Sequence, residues 1–418
     1  MANMITNNIR IFLLSVMLTV TVTGLRAQTG GLSGDGQKMT FDLYLNRVGK
    51  QNLEYLANRL NVSVAEAEII AAKVLPDPSL DFEGSKDTYT FGLSYSLELG
   101  KRYARVKLAR SQAELEKLVL EQNFQDLRAQ AAELFLDAIL QRELLNVKEN
   151  SYQYMVRLSQ SDSLRYVSGE ITENDARQSW LEAVGLLNEV YDQEAVYYSS
   201  LVELNKYMGT NADTLNIPLG NWDSLERDFT LASLLELGQT NRVELLAASK
   251  NIEVNSRAYK LTRAERRPDI GMSLSYERDW NGFLPQARYA IVGVSVPLSF
   301  SAINKGAVKS AKYRIDQAAI MQKNVELQIQ AEVTQAWFVF EAEKKKVTQY
   351  RSGVLEESQK VLDAMVYKYK RGEATILDVL IAQRSYNEVQ QNYLETMKGY
   401  MSALVTLERS CGIWDIHF

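Results

Sequence analysis

The sequence YVSGEITEND at residues 166–175 recurs as YKRGEATILD at residues 369–378. Identical positions share one displacement of 203 residues, which pairs Tyr166, Gly169, Glu170, Thr172 and Asp175 with Tyr369, Gly372, Glu373, Thr375 and Asp378. A fixed displacement of this kind indicates an internal duplication. We therefore expect a symmetric scaffold rather than a single catalytic pocket.

The duplication extends in both directions from these two stretches. Upstream, Pro76-Asp77 recurs as Pro268-Asp269 at a displacement of 192, and Gly92-x-Ser94-x-x-Leu97 recurs as Gly293-x-Ser295-x-x-Leu298 at 201. Downstream, Gly209 corresponds to Gly412. The change from 192 to 201 predicts that a loop near 279–285 is longer in the second copy.

Each copy is predicted to run helix, β-hairpin, long helix, turn and long helix, which makes the fold mainly α with a small β part. No proline occurs in 79–217 or 298–418, so long uninterrupted helices are possible. They are predicted over Lys101–Val167, Ile171–Met208, Lys305–Tyr369 and Thr375–Cys411. In the first of them, apolar and small residues recur at coiled-coil spacing: Leu127, Ala131, Leu134, Ala138 and Leu145.

The predicted strands have two unlike faces. Thr88–Leu99 alternates aromatic or aliphatic residues such as Phe91 with small polar residues such as Ser94. This alternation is typical of a barrel with lipid outside and water inside, although the edge of an ordinary β-sandwich is an alternative. Four strands cannot close a membrane barrel, so a membrane location would require two protomers for eight strands or three for twelve.

Composition argues against several classes of function. A net charge of −5 and a pI of about 5.4 give no sign of a nucleic-acid interface. The single cysteine, Cys411, and the single histidine, His417, leave no Cys/His metal site and no Ser-His triad. No Gly-rich phosphate loop or catalytic signature is present. We therefore expect no enzyme activity, no cofactor and no resident metal ion.

The N-terminus has the pattern of a cleaved signal peptide. Arg10 precedes the apolar stretch Ile11–Val22, and Leu25-Arg26-Ala27 resembles a cleavage site. A membrane anchor is the alternative, but the apolar stretch is short for a membrane span. A signal peptide predicts export, and the periplasm or outer membrane of a gram-negative cell is the natural destination.

These observations give a predicted organisation of the whole chain. The signal peptide occupies residues 1–27, and the first repeat occupies 28–209 with its β-hairpin at 79–99. A linker over 210–229 joins it to the second repeat at 230–412, whose β-hairpin is at 269–299. A short tail follows at 413–418.

The duplicated turn residues have two interpretations. Gly169 and Gly372 supply a positive φ where a helix ends, and the threonines three residues later suit the start of the next helix. Asp175 and Asp378 then lie in the first turn, where the helix dipole favours a carboxylate. Alternatively, a carboxylate at a fixed tip position forms a ring of charge when the chain assembles symmetrically.

The mature chain, about residues 38–412, resembles the TolC family of outer-membrane efflux proteins. The resemblance rests on the duplicated layout, the Pro-Asp pair before each hairpin, the Gly-x-Ser-x-x-Leu strands, and Gly372 followed by Asp378-Val379-Leu380 and Ala382. It implies a homotrimer with a twelve-stranded β-barrel in outer-membrane lipid, continued by a long periplasmic α-helical barrel. It also implies a passive channel that docks to a periplasmic adaptor and an inner-membrane pump or exporter.

The resemblance also implies roles for individual residues. Asp378 and Asp175 match aspartates of the periplasmic aperture, and Tyr369 matches a tyrosine of the hydrogen-bond network that closes it. The chain departs from some family members at Ala374, where they have an arginine, and at Ile381, where they have a second aspartate. The turns expected to meet the adaptor contain Gly169, Glu170, Arg371, Gly372 and Glu373.

A competing hypothesis is a structural periplasmic coiled-coil spacer, or an adhesin-like protein, without a channel. A spacer has no need for a Gly/Ser face on its strands. The strand pattern therefore favours the channel.

Overall fold

A computed structural model of the chain describes residues 37–211, 215–220, 227–279, 288–297 and 303–416. The predicted signal peptide lies outside these ranges, as do His417 and all but the first residue of the predicted longer loop near 279–285.

The first repeat begins with a short strand and two short helices, continues through a β-hairpin, and ends in two long helices. Its elements are β1 (Lys38–Thr40), α1 (Phe41–Gln51), α2 (Leu53–Lys73), β2 (Ser79–Gly84), β3 (Thr88–Leu97), α3 (Lys101–Val167) and α4 (Glu173–Tyr207). The bounds of α3 confirm the long helix predicted there.

The second repeat has the same order of helices and strands. Its elements are α5 (Leu231–Asn241), α6 (Val243–Ala264), β5 (Ile270–Asp279), β6 (Arg288–Ser295), α7 (Ile303–Gln349), a π-helical turn (Tyr350–Val354), α8 (Leu355–Lys370) and α9 (Ile376–Cys411). None of the helices in the described ranges combines the length and the apolar composition that a membrane span requires.

The segment predicted as a linker contains a strand, β4 (Ile217–Leu219), which pairs in parallel with β1. Pro218 lies in β4, and the two-stranded sheet consists only of edge strands, where a missing N–H is tolerated. The segment between the repeats is therefore partly ordered against the start of the first repeat.

Each repeat opens with a pair of short helices rather than the single helix expected over 41–75. The first pair breaks at Asn52, whose side chain accepts a hydrogen bond from the Tyr55 N–H at 2.9 Å and donates to the Tyr207 carbonyl at 2.8 Å. Gly209 (φ 71°) packs against this break, and a Cβ there would lie 2.3 Å from the Gln51 carbonyl oxygen.

The second pair of short helices repeats this arrangement. Gly412 (φ 68°) packs against the break at Arg242, and a Cβ there would lie 2.8 Å from the carbonyl oxygen of Asn241. The duplicated glycines therefore mark the points where the long helices end against the short ones.

The four longer strands form one antiparallel sheet in the order β2-β3-β5-β6. The register confirms the predicted faces, since Leu93 pairs with Leu274 whereas Ser94 pairs with Ser273. The apolar face is open to solvent in the single chain, with Phe82 73% and Val292 78% exposed. The outer edges of β2 and β6 have no partner strand among the described residues.

Two hydrophobic clusters hold the helices together. The larger lies where the middle of α3 and α7 meets α1 and the ends of α4 and α9, and it includes Phe41, Phe135, Phe340 and Leu404. The smaller lies near the tips of the long helices and includes Met155 and Leu158 of α3 together with Val379 of α9. The α3–α4 and α8–α9 hairpins therefore pack against each other near their tips.

The π-helical turn marks a one-residue insertion in the second repeat. Buried residues of α7 recur with the spacing predicted for α3 and a displacement of 202 from it: Ile329, Val333, Ala336, Phe340 and Val347. At the turns between the long helices, corresponding residues of the two repeats are instead 203 positions apart. The added residue therefore falls in Tyr350–Val354, where Gly353 has φ 113° and ψ 3°. A π-type bulge accommodates one such extra residue.

Candidate functional site: the tips of the long helical hairpins

Both tip turns end their first helix in the same way. Gly169 has φ 79° and Gly372 has φ 76°. The N–H of Glu170 bonds to the Arg165 carbonyl at 2.9 Å, and the N–H of Glu373 bonds to the Lys368 carbonyl at 2.9 Å. These bonds form the Schellman motif, in which a residue in the left-handed region satisfies the last helical carbonyls.

The two aspartates cap the helices that follow the turns. The Asp378 carboxylate accepts hydrogen bonds from the Thr375 N–H at 2.9 Å and the Thr375 hydroxyl at 2.7 Å. Both hydrogen bonds lower the pKa of Asp378, and the bond from the Thr375 hydroxyl has the larger effect. Asp175 forms the equivalent capping box with Thr172. Within one chain, both aspartates therefore make the contacts that the capping interpretation predicts.

Tyr369 forms a hydrogen bond between the two hairpins. Its hydroxyl donates to Asp162 Oδ1 at 2.9 Å, and Asp162 is fully buried in α3. Burial raises the pKa of Asp162, while the hydrogen bond from Tyr369 opposes the rise. Burial has the largest effect on the pKa of Tyr369 and raises it, and the nearby Asp162 carboxylate raises it further. We call this contact the Asp162–Tyr369 link.

Asp162 is not among the site residues predicted from the sequence. Its counterpart at a displacement of 203 is Met365, so the duplication does not mark it. The available signal was its spacing, because Met155, Leu158 and Asp162 continue the pattern of buried positions on α3. A carboxylate at such a position requires a partner, since an uncompensated buried charge is costly.

Arg165 lies beside the link. Its Nη1 is 3.9 Å from Asp162 Oδ1, and its guanidinium carbon is 5.0 Å from the centre of the Tyr369 ring. Its Nε donates to Glu170 Oε2 at 3.3 Å. One guanidinium thus contacts the tip turn, the buried carboxylate and the tyrosine ring.

Two further polar contacts join the same hairpins. The Asn387 amide donates to the Ser151 hydroxyl at 2.6 Å and its carbonyl accepts from Gln383 at 3.0 Å, with all three residues buried. At the surface, Arg384 of α9 donates to Glu182 of α4 at 2.8 Å. The hairpins are therefore joined by buried polar contacts as well as by apolar packing.

The second tip has a separate set of contacts. The Arg371 Nε lies 3.1 Å from Glu373 Oε1, and an Nη1 N–H of Arg371 donates to the Tyr367 hydroxyl at 2.8 Å. Arg371, Glu373 and Tyr367 are all exposed.

Over the described ranges, no three His, Cys, Asp or Glu side chains are grouped so as to hold a metal ion.

Comparison with known proteins shows what the chain is similar to. Residues 234–413 match the family model described as "Outer membrane efflux protein". The cobalt-zinc-cadmium resistance protein CzcC of Cupriavidus metallidurans is 24% identical over 380 residues, which cover 90% of each chain. The resemblance of the chain to the TolC family of outer-membrane efflux proteins is therefore confirmed.

Solved structures of TolC-like channels show the same fold over nearly the full length. CusC has a TM-score of 0.74 at 15% identity, with 93% of this chain and 96% of that chain covered. The CmeC outer-membrane channel of Campylobacter jejuni has a TM-score of 0.73 at 13% identity, with 89% and 85% covered. The predicted mainly α, TolC-like fold is confirmed.

These similarities decide between the functions that the sequence left open. The protein is an outer-membrane channel of an efflux system, not an enzyme. The periplasmic spacer does not fit these relatives. Members of the family form trimers and act with a periplasmic adaptor and an inner-membrane pump.

Proposed function

We propose that three copies of this chain close a twelve-stranded barrel in the outer membrane and continue it as a periplasmic helical tunnel. The sheet supports this, because it has one exposed apolar face, one Gly/Ser face and two open edges. Open edges in lipid leave backbone groups unsatisfied, and pairing between neighbouring protomers removes them. A signal peptide over residues 1–27 delivers the chain to the periplasm.

The Asp162–Tyr369 link closes the periplasmic end of this tunnel. It is the observation that carries the proposal, because it joins the α3–α4 and α8–α9 hairpins through a fully buried carboxylate. Separating the hairpins breaks this hydrogen bond to a charged group, at a net cost of about 1.5–3 kcal/mol. The link is therefore strong enough to hold the closed form and weak enough for a docking partner to open.

The tip turns are the docking surface for the adaptor. Glu170, Arg371 and Glu373 are exposed around Gly169 and Gly372, at the ends of the two hairpins. A partner bound there lies close to the link. The aspartates Asp175 and Asp378 line the aperture once three chains surround it.

The similarity to CzcC supports divalent metal ions as the exported cargo. The channel then receives the ions from its pump and needs no metal site of its own. Loss of the gene should make its host more sensitive to cobalt, zinc and cadmium.

Removal of the Tyr369 hydroxyl tests the gate. Tyr369→Phe keeps the ring and breaks the link, so we expect the purified trimer to conduct more in planar bilayers without any adaptor. Tyr386→Phe is the matched control, because its hydroxyl accepts a hydrogen bond from Gln390 within α9. Unchanged conductance of an intact Tyr369→Phe trimer would show that the link only stabilises the fold.

A further inference from the structure

We propose that Arg165 transmits the state of the first tip turn to the Asp162–Tyr369 link, and that the second tip turn has no such connection. This inference rests on the proposed gate and adds a positioning residue to it. The trigger is a basic side chain of the docked partner that attracts Glu170.

Arg165 lies between two different parts of the molecule. Its Nε donates to Glu170 in the tip turn at 3.3 Å, and its Nη1 lies 3.9 Å from the buried Asp162 carboxylate. The Arg165 side chain is 18% exposed and the Glu170 side chain is 61% exposed. A partner can therefore reach Glu170 directly, whereas it can affect Arg165 mainly through Glu170.

The tip turn is organised around this pair. The Ser168 hydroxyl lies within hydrogen-bond distance of both the Arg165 carbonyl oxygen, at 3.0 Å, and Glu170 Oε1, at 3.3 Å. The backbone N–H of Glu170 donates to the same carbonyl at 2.9 Å. The Glu170 carboxylate is thus positioned by the turn to orient the guanidinium.

Withdrawal of Glu170 weakens the link for an electrostatic reason. The guanidinium compensates part of the charge of buried Asp162 and lies against the Tyr369 ring, 5.0 Å from its centre. Arginine has many rotamers, so loss of the Nε bond releases the guanidinium from that position. The buried carboxylate then loses compensation, and the tyrosine ring loses a cation–π contact.

The second repeat lacks this connection although its turn contains the same glutamate. Glu373 pairs with Arg371, which contacts the Tyr367 hydroxyl at 2.8 Å. Tyr367 is 60% exposed, and Arg371 and Glu373 are more than half exposed. The residue of α8 that corresponds to Arg165 is Lys368, and the residue that corresponds to Asp162 is Met365. The two glutamates therefore form a matched test pair within one chain.

The test compares Glu170→Gln with Glu373→Gln in the full trimer, measured as open probability in planar bilayers without adaptor. The Glu170 variant mimics withdrawal of the carboxylate from Arg165. We expect its open probability to rise by about fivefold or more, the lower end of typical coupling between sites. The Glu373 variant should behave as wild type, and the thermal midpoints of both trimers should stay close to the wild-type value.

A double variant distinguishes transmission from a general effect of tip charge. In a Tyr369→Phe background the link is already broken, so Glu170→Gln should add nothing further. Equal effects of the two glutamate variants would overturn the proposal, as would a multiplicative effect in the double variant. A Tyr369→Phe trimer that conducts like wild type would remove the gate itself, and the transmission with it.

Discussion

At the scale of single residues, Asp378 shows how one carboxylate can serve both a helix and a channel. Its bonds to Thr375 are those of a capping box, and they lower its pKa, so it remains charged at neutral pH. The carboxylate is also exposed at the tip. Capping and a ring of charge are therefore compatible, since a cap uses one oxygen and leaves the charge in place.

The substitution Asp378→Asn separates these two roles. The amide oxygen still accepts the capping bonds, while three negative charges are lost from the proposed trimer. We expect the preference for cations over anions to fall and block by cobalt ions to weaken in planar bilayers. Asp378→Ala is the control that also removes the hydrogen bonds from Thr375 to the Asp378 side chain, at a cost of about 1 kcal/mol per chain. Wild-type selectivity in the Asn variant would leave Asp378 with the capping role alone.

At the scale of secondary structure, the π-helical turn distinguishes the two repeats. Gly353 has φ 113°, a conformation that strains any residue with a Cβ. We therefore expect Gly353→Ala to lower the thermal midpoint of the trimer, through a cost of about 1–2 kcal/mol per chain. Gly185→Ala, at an exposed helical position of α4, should instead leave the midpoint unchanged or raise it. Equal shifts for the two variants would contradict the strain at Gly353.

Some of these elements could be predicted from the sequence and others could not, for a physical reason. The strand faces and tip turns were predictable because Gly, Ser, Thr and Asp carry local backbone and capping preferences that the duplication repeats. The breaks at Asn52 and Arg242 and strand β4 depend instead on contacts with distant segments, whereas the π-helical turn depends on a one-residue offset between the repeats. Asp162 likewise could not be predicted, because its partner Tyr369 lies 207 residues away along the chain.

At the scale of the whole molecule, the exposed apolar face of the sheet and its two open edges have one common explanation. The face is covered by lipid and the edges by neighbouring protomers when three chains close a barrel. The Gly/Ser face then lines water. Pairing keeps these faces separate across β2, β3 and β5, since Phe91 is aligned with Phe82 and Tyr276, and Gly92 with Asp81 and Ser275.

A pair of lysine substitutions on strand β3 tests this arrangement. Phe91→Lys places a charge on the lipid face at a cost of up to about 2–4 kcal/mol per chain, so we expect little heat-modifiable trimer in the outer-membrane fraction. Ser96→Lys should be tolerated, because it points to the opposite face, beside Gly271. Ser96 suits this control better than Ser94, whose hydroxyl already donates to Asp81 at 2.8 Å. If both variants assemble equally well, the lipid-facing assignment of the aromatic face is wrong, and the sheet must be covered by something other than the membrane.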